Sequence, residues 1–148
     1  RFRGRMPSPV TIWTTSAGNH RDGWTVSSML VADGDPAEVI GLLDEDADFT
    51  DLVRQTGHCT VNLLASDQAA VAEDFARMAP APGGPFRTGE WVDAAYGPRL
   101  SGAAGWLGVR LTQSEDHAGW TLLARGVIET VELADEVDAL LHMRGRYA

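Results

Sequence analysis

Three hydroxyls crowd one short stretch, Gly23-Trp24-Thr25-Val26-Ser27-Ser28, with only Val26 between Thr25 and Ser27. Hydroxyls donate and accept, so Thr25, Ser27 and Ser28 either face water or wall a site for a ligand rich in polar atoms. A second concentration is acidic: Asp44, Glu45, Asp46 and Asp48. It resembles a cation cradle, but an EF-hand loop counted from Asp44 needs Gly at its sixth position and Glu at its twelfth. Phe49 and Gln55 stand there, so an acidic loop favouring the positive end of a following helix is the plainer reading.

Other chemistries are thinner. No Gly-x-Ser-x-Gly elbow presents a nucleophilic serine. His20, His58, His117 and His142 are scattered, with no i, i+2 or i, i+4 pair to converge on a metal. Cys59 is the single cysteine, which excludes an internal disulfide and a Cys-x-x-Cys motif; in an apolar strand it reads as a buried, inert thiol. All 12 basic residues are arginine, so Schiff-base chemistry and a Walker lysine are excluded and any side-chain anion binding falls to arginine. No Gly-x-Gly-x-x-Gly loop marks a Rossmann unit. Trp13, Trp24, Trp91, Trp106 and Trp120 read mostly as packing, with one or two placed to stack on a planar ligand.

The elements that must position these groups are short. Residues 10–16 and 23–31 read as a hairpin around a polar turn, and 37–43 as a third strand after Asp33-Gly34-Asp35-Pro36. A helix of about ten residues follows, with Asp48 as N-cap, Asp51 as capping-box acid, Phe49, Leu52 and Val53 on its apolar face, and Gly57 as its stop. Residues 58–64 form a strand. Ser66 or Asp67 caps a second helix carrying Val71, Ala72, Phe75 and Met78, which ends at Pro80-Ala81-Pro82-Gly83-Gly84-Pro85. Long β segments cover about 100–114 and 119–133, with Glu115 to Ala118 between them. The tail has a short helical pattern in Val137, Leu140 and Leu141. Five or six strands with two helices predict a mainly β fold, a small barrel with helical insertions.

A length of 148 residues suits one domain spanning 1–148, and 44% hydrophobic with 22% charged residues suits a globular interior. No apolar run reaches the roughly 20 residues of a membrane span, so a cytoplasmic protein without a membrane partner is expected. The net charge of −9 repels a polyanion and argues against nucleic acid; Arg1, Arg3 and Arg5 read as a solvated terminus.

The order of segments carries a resemblance. Val10-Thr11-Ile12-Trp13-Thr14-Thr15, Gly23 to Ser28, Asp35-Pro36, Gly57-His58-Cys59-Thr60-Val61-Asn62-Leu63-Leu64, the helix from Gln68 to Phe75, Pro98 to Leu107, Gly126-Val127 and the closing Arg144-Gly145-Arg146-Tyr147 together resemble the flavin reductase-like family of FMN-binding split β-barrels. The resemblance implies a homodimer that holds a flavin near its interface and reduces it with NADH or NADPH, reduced flavin passing to a partner monooxygenase. It implies that Trp24, Thr25, Val26, Ser27 and Ser28 line the flavin ring, that Asp46 and Ala47 stand at the phosphate position, and that Arg144 and Arg146 supply positive charge. Where many members have Gly-Asp-His, this chain has Ala118-Gly119-Trp120, which makes Trp120 the residue on the substrate side. The acidic run at the phosphate position opens an alternative: a divergent split barrel that has lost FMN-phosphate binding and holds FAD, a deazaflavin or only a protein partner.

Overall fold

In the computed structural model, residues 2–77, 83–112 and 116–148 are described. Met78, the Pro80–Pro82 part of the loop, Glu115, Arg1 and the end of the 100–114 segment lie outside them. The first elements are a helical turn α1 (Phe2–Arg5) and the strands β1 (Ser8–Pro9), β2 (Thr11–Ala17), β3 (His20–Val26), β4 (Met29–Ala32) and β5 (Glu38–Leu43). Helix α2 (Asp48–Thr56), β6 (His58–Leu63) and helix α3 (Ala69–Phe75) form the middle. A 3-10 turn (Pro85–Arg87) leads to β7 (Trp91–Val92), β8 (Arg99–Leu100), β9 (Gly105–Thr112), β10 (His117–Ala118), β11 (Thr121–Leu133), β12 (Leu141–Met143) and β13 (Arg146–Tyr147).

The main sheet is antiparallel in the order β3-β2-β6-β9-β11-β5-β4, with β10 on β11. This mostly β, curled arrangement is the expected split barrel. β11 serves two neighbours, β5 through its first half and β9 along most of its length, with a register shift between Ile128 and Thr130. Such a bulge bends a long strand enough to curl a sheet.

The expected strand 23–31 is two strands. β3 pairs with β2 and β4 with β5, so consecutive strands lie at opposite ends of the hydrogen-bonded path and Ser27-Ser28 is all that joins them. The predicted helical tail is also corrected: Leu140 is buried and Leu141 exposed, an alternation that suits extended chain, and β12 pairs with β1 and β13.

Period-2 alternation splits the core in two. Trp13, Val26, Val39, Leu43 and Val109 face the barrel interior, which α2 closes with Phe49 and Val53. On the other side, Ile12, Leu64 and Leu100 pack beneath Val71, Ala72 and Phe75 of α3, and Leu140 of the tail joins them. Gly41 has no room for a side chain, because a Cβ there would meet the Trp13 ring at 2.5 Å.

Both helix caps depart from expectation. Ala47, not Asp48, is the N-cap of α2 and makes no side-chain cap. Asp44 turns the chain instead: its Oδ1 accepts the Asp46 N–H at 2.9 Å, and its carbonyl accepts the Thr50 hydroxyl at 2.6 Å. Gly57 does end α2 in the left-handed region, its N–H bonded to the Val53 carbonyl. Gln68 precedes α3 in place of a Ser66 or Asp67 cap. Its Oε1 accepts the Ala65 N–H and its Nε2 donates to the Ser101 carbonyl, both at 3.0 Å. Buried polar side chains clasp the 97–100 segment to the sheet. Thr14 donates to the Pro98 carbonyl (2.5 Å), Thr60 to the Gly97 carbonyl (2.8 Å), and Asn62 Oδ1 accepts the Leu100 N–H (2.9 Å).

Candidate functional site

Along β3, alternation decides which side chains meet a ligand. Trp24 and Val26 turn toward the barrel interior, Val26 fully buried and Trp24 packed on the same cluster under the Arg77 guanidinium. Thr25 and Ser27 face the other way, into a cleft of about 480 Å³ that Val10, His142, Gly145 and Tyr147 also line. The Gly23–Ser28 stretch and the Arg144–Tyr147 stretch therefore meet in space, although more than a hundred residues separate them in the chain.

The hydroxyls differ in availability. Thr25 Oγ1 donates to the Ala72 carbonyl at 2.7 Å, which ties β3 to α3. Among the described residues, the Ser27 and Ser28 hydroxyls have no hydrogen-bond partner, and only the Ser28 carbonyl is engaged, by the Leu42 N–H at 2.9 Å. Both serines are half-buried at the gap between the two edge strands. That is a pair of open donors on a backbone whose ladder is interrupted.

The C-terminal hairpin contributes differently than its arginines suggest. Arg144 and Arg146 are exposed and do not line the cleft; Gly145 and Tyr147 do. Arg144 and Gly145 both adopt positive φ in the tight turn, which aims successive side chains apart. Sequence reasoning missed His142 and Glu73 as cleft residues, and Tyr147 as a lining side chain. The His142 and Tyr147 rings meet edge to face at 5.1 Å, and burial with the nearby Glu73 charge pushes the Tyr147 phenol above its usual range. The only advance signal was the aromatic closing Arg-Gly-Arg-Tyr.

The acidic loop stands apart from this cleft. Its Asp46 N–H is held by Asp44 Oδ1 and its Ala47 N–H by the Asp44 carbonyl at 3.2 Å, so neither amide is open to a phosphate. Glu45 pairs with His117 Nε2 at 3.0 Å and lies 3.8 Å from Arg54, which also faces Asp51 at 3.6 Å. Trp120 sits in the β10–β11 turn near that pair and is 98% exposed, so it is not packed in the core.

Among the described residues no group of three or more His, Cys, Asp or Glu is placed to hold a metal. Cys59 is fully buried and burial raises its thiol to about 12, which makes it an inert packing residue as the sequence indicates. No helix among the described residues is long and apolar enough to cross a membrane.

The family profile of the "Flavin reductase like domain" matches residues 3–148, and the chain belongs to that family. It is accordingly an oxidoreductase of the flavin reductase type. Over 97% of its length it is 28% identical to the reductase component of a 4-nitrophenol 4-monooxygenase/4-nitrocatechol 2-monooxygenase from Rhodococcus opacus, covering 75% of that protein. It is 26% identical to the FMN reductase (NADH) RutF of Ancylobacter novellus, over 97% of this chain and 78% of that one. The fold is that of the NADH:FAD oxidoreductase SgcE6 of Streptomyces globisporus, with a TM-score of 0.89 at 23% identity over 100% of this chain and 88% of that structure.

Proposed function

We propose that this chain is an NAD(P)H:flavin oxidoreductase that reduces FMN and serves as the reductase component for a monooxygenase. The observation that carries the reading is the pair of hydroxyls, Ser27 and Ser28, that have no hydrogen-bond partner among the described residues at the break between β3 and β4. A flavin ring presents carbonyl oxygens and ring nitrogens along one edge, and those two hydroxyls with the adjoining backbone fit it. When bound, the flavin supplies the ring that accepts a hydride from the nicotinamide.

The chain's own residues supply placement. Ser27 and Ser28 donate to the ring edge, and the Thr25–Ala72 bond keeps that strand from shifting against α3. Gly145 lines the cleft at positive φ, a backbone shape that glycine adopts freely. Tyr147 and His142 line the cleft with aromatic surface. Arg3, which lines the cleft, and the exposed Arg144 and Arg146 on either side of Gly145 are the cations that draw the flavin phosphate. The protein works as a homodimer in the cytoplasm. Support comes from exposed Leu30 and Val31 on the edge strand β4 and exposed Val131 and Leu133 on β11, apolar surface of the kind a second copy covers.

One observation favours a second reading. The loop at residues 44–48 bonds its own amides internally, which suits a split barrel that no longer grips FMN phosphate there and prefers FAD or a deazaflavin. Purified protein titrated with FMN, FAD and a deazaflavin, read by absorbance near about 450 nm and by NADH and NADPH oxidation, separates the two. FMN binding with nicotinamide oxidation, weakened in Ser27→Ala, supports the first reading. Binding of FAD or deazaflavin without FMN supports the second. No binding and no oxidation with any of the three overturns both.

A further inference from the structure

The cleft beside Ser27 holds polar side chains that the fold itself does not use. Arg3 of α1, Glu73 of α3, His142 of β12 and Tyr147 of β13 all line it. Among the described residues, none of these four side chains makes a hydrogen bond or an ion pair. The other histidines are different. His58 Nδ1 meets the Tyr96 carbonyl at 2.9 Å, His117 Nε2 meets Glu45 at 3.0 Å, and His20 is exposed. His142 is half-buried, and the β12–β13 pairing sets it opposite Tyr147, whose ring it meets edge to face at 5.1 Å.

Charge decides what this cleft can hold. Arg3 is positive and Glu73 negative, so apart from His142 the lining is neutral. Tyr147 stays uncharged, because burial and the Glu73 carboxylate push its phenol above the usual range. Among the described residues no other titratable side chain lines the cleft, and β1, on the far side of β12, sets the uncharged Ser8 and Pro9 opposite His142 and Leu141. Arg5 of α1 and Arg144 and Arg146 of the hairpin are exposed and remain cationic at every accessible pH. Histidine is the side chain that changes charge between about pH 5 and 8. A proton on His142 therefore turns a neutral lining into a cationic one.

We propose that His142 is the charge switch of this cleft: protonated, it joins Arg3 in holding an anionic group of the ligand, and neutral, it leaves the lining without net charge. The inference rests on the reading of this cleft as the flavin site for the identity of that group, the phosphate of FMN. The sign follows directly. His142 adds to FMN affinity as pH falls and stops adding as pH rises.

FMN and riboflavin, which lacks the phosphate, are titrated into the wild type, His142→Gln and His142→Phe at about pH 5.5 and about pH 8. His142→Phe keeps a ring against Tyr147 and removes the charge, and a thermal melt checks that each variant folds. The FMN phosphate also titrates in this range, so the quantity read is the ratio of variant to wild-type dissociation constants at each pH, where the ligand's own ionisation acts on both. For FMN the expected ratio is about tenfold at the lower pH and within about twofold at the higher, in both variants. For riboflavin the ratio should not change with pH. An FMN ratio independent of pH, or a riboflavin ratio that changes as much as that of FMN, overturns the inference. Sulfate alone is the second probe, since its charge is fixed across the range. It should shift the His142 imidazole NMR signals at the lower pH and leave them in place at the higher. That response without binding of either flavin sinks the flavin reading and keeps the switch; FMN binding with a pH-independent ratio and no sulfate response sinks the switch alone.

Discussion

Asn62 offers the sharpest test of how the sheet holds its surroundings. It is fully buried in β6, its Nδ2 donating to the Ile12 carbonyl and its Oδ1 accepting the Leu100 N–H, both at 2.9 Å. Asn62→Ala removes these two hydrogen bonds, each worth about 1 kcal/mol net, with a longer third from Nδ2 to Thr14 Oγ1 at 3.5 Å, and strands the Leu100 N–H, a further loss of about 1–3 kcal/mol. Part of the stranded group's penalty overlaps with the bond it lost, so the expected total is about 2–4 kcal/mol. For a chain of this length that corresponds to a fall in Tm of roughly 5–15 °C. Urea unfolding should show a lower midpoint at an unchanged slope, because the native and unfolded states keep their compactness. Thr60 clasps the same segment through the Gly97 carbonyl. Asn62→Ala and Thr60→Val should therefore be non-additive by about 0.5–1.5 kcal/mol, the second clasp counting for less once the first is gone. A loss below about 1 kcal/mol for Asn62→Ala would refute the accounting, and strict additivity would show that 97–100 is not held as a unit.

Gly41→Ala drives a Cβ to within 2.5 Å of the fully buried Trp13 ring and should destabilise by about 1–3 kcal/mol in chemical denaturation, with a red-shifted or broadened tryptophan emission. Cys59, with its thiol raised to about 12, should react with an aromatic disulfide reagent only as fast as the protein opens, and rapidly in denaturant. Asp46→Ser should leave FMN affinity within about twofold, since the amide at that position is already bonded to Asp44; a strong tightening would place the phosphate against this loop after all. Glu129, held below the usual carboxylate range by hydrogen bonds from Arg110 and Tyr96, favours the folded state above the unfolded carboxylate value and loses that contribution as pH falls through its lower folded value. Carboxyl-carbon NMR should give a midpoint below about 4.3, returning toward it in Arg110→Gln.

Much of the fold was legible because its periods are clean. Alternation over 11–15 and 58–63, with Gly57 after an apolar-faced helix, locates β2, β6 and α2 within a residue or two. The tail was misread because Val137, Leu140 and Leu141 match helical spacing by coincidence; pairing with β1 at the other end of the chain decides their conformation and no local pattern records it. The α2 cap was missed because Asp44, four residues outside the helix, does the capping loop's work through its side chain and carbonyl. In the candidate site, the two chain segments were found and their side chains only half sorted. Strict alternation already separates Trp24 and Val26 from Thr25 and Ser27, whereas His142 and Glu73 enter the cleft only through tertiary packing.

The Ser27-Ser28 link has a mechanical meaning. Because β3 and β4 end the hydrogen-bonded path, no ladder closes the circumference of the barrel there; the short covalent link and the side chains packed beneath it do, like a ring cut once and tied by a short thread. Anything that hydrogen-bonds to both sides of that cut completes the hoop. A ligand at the seam should therefore slow amide exchange along both β3 and β4, strands that share no ladder, and do so more than in β6 or β9 at the middle of the sheet.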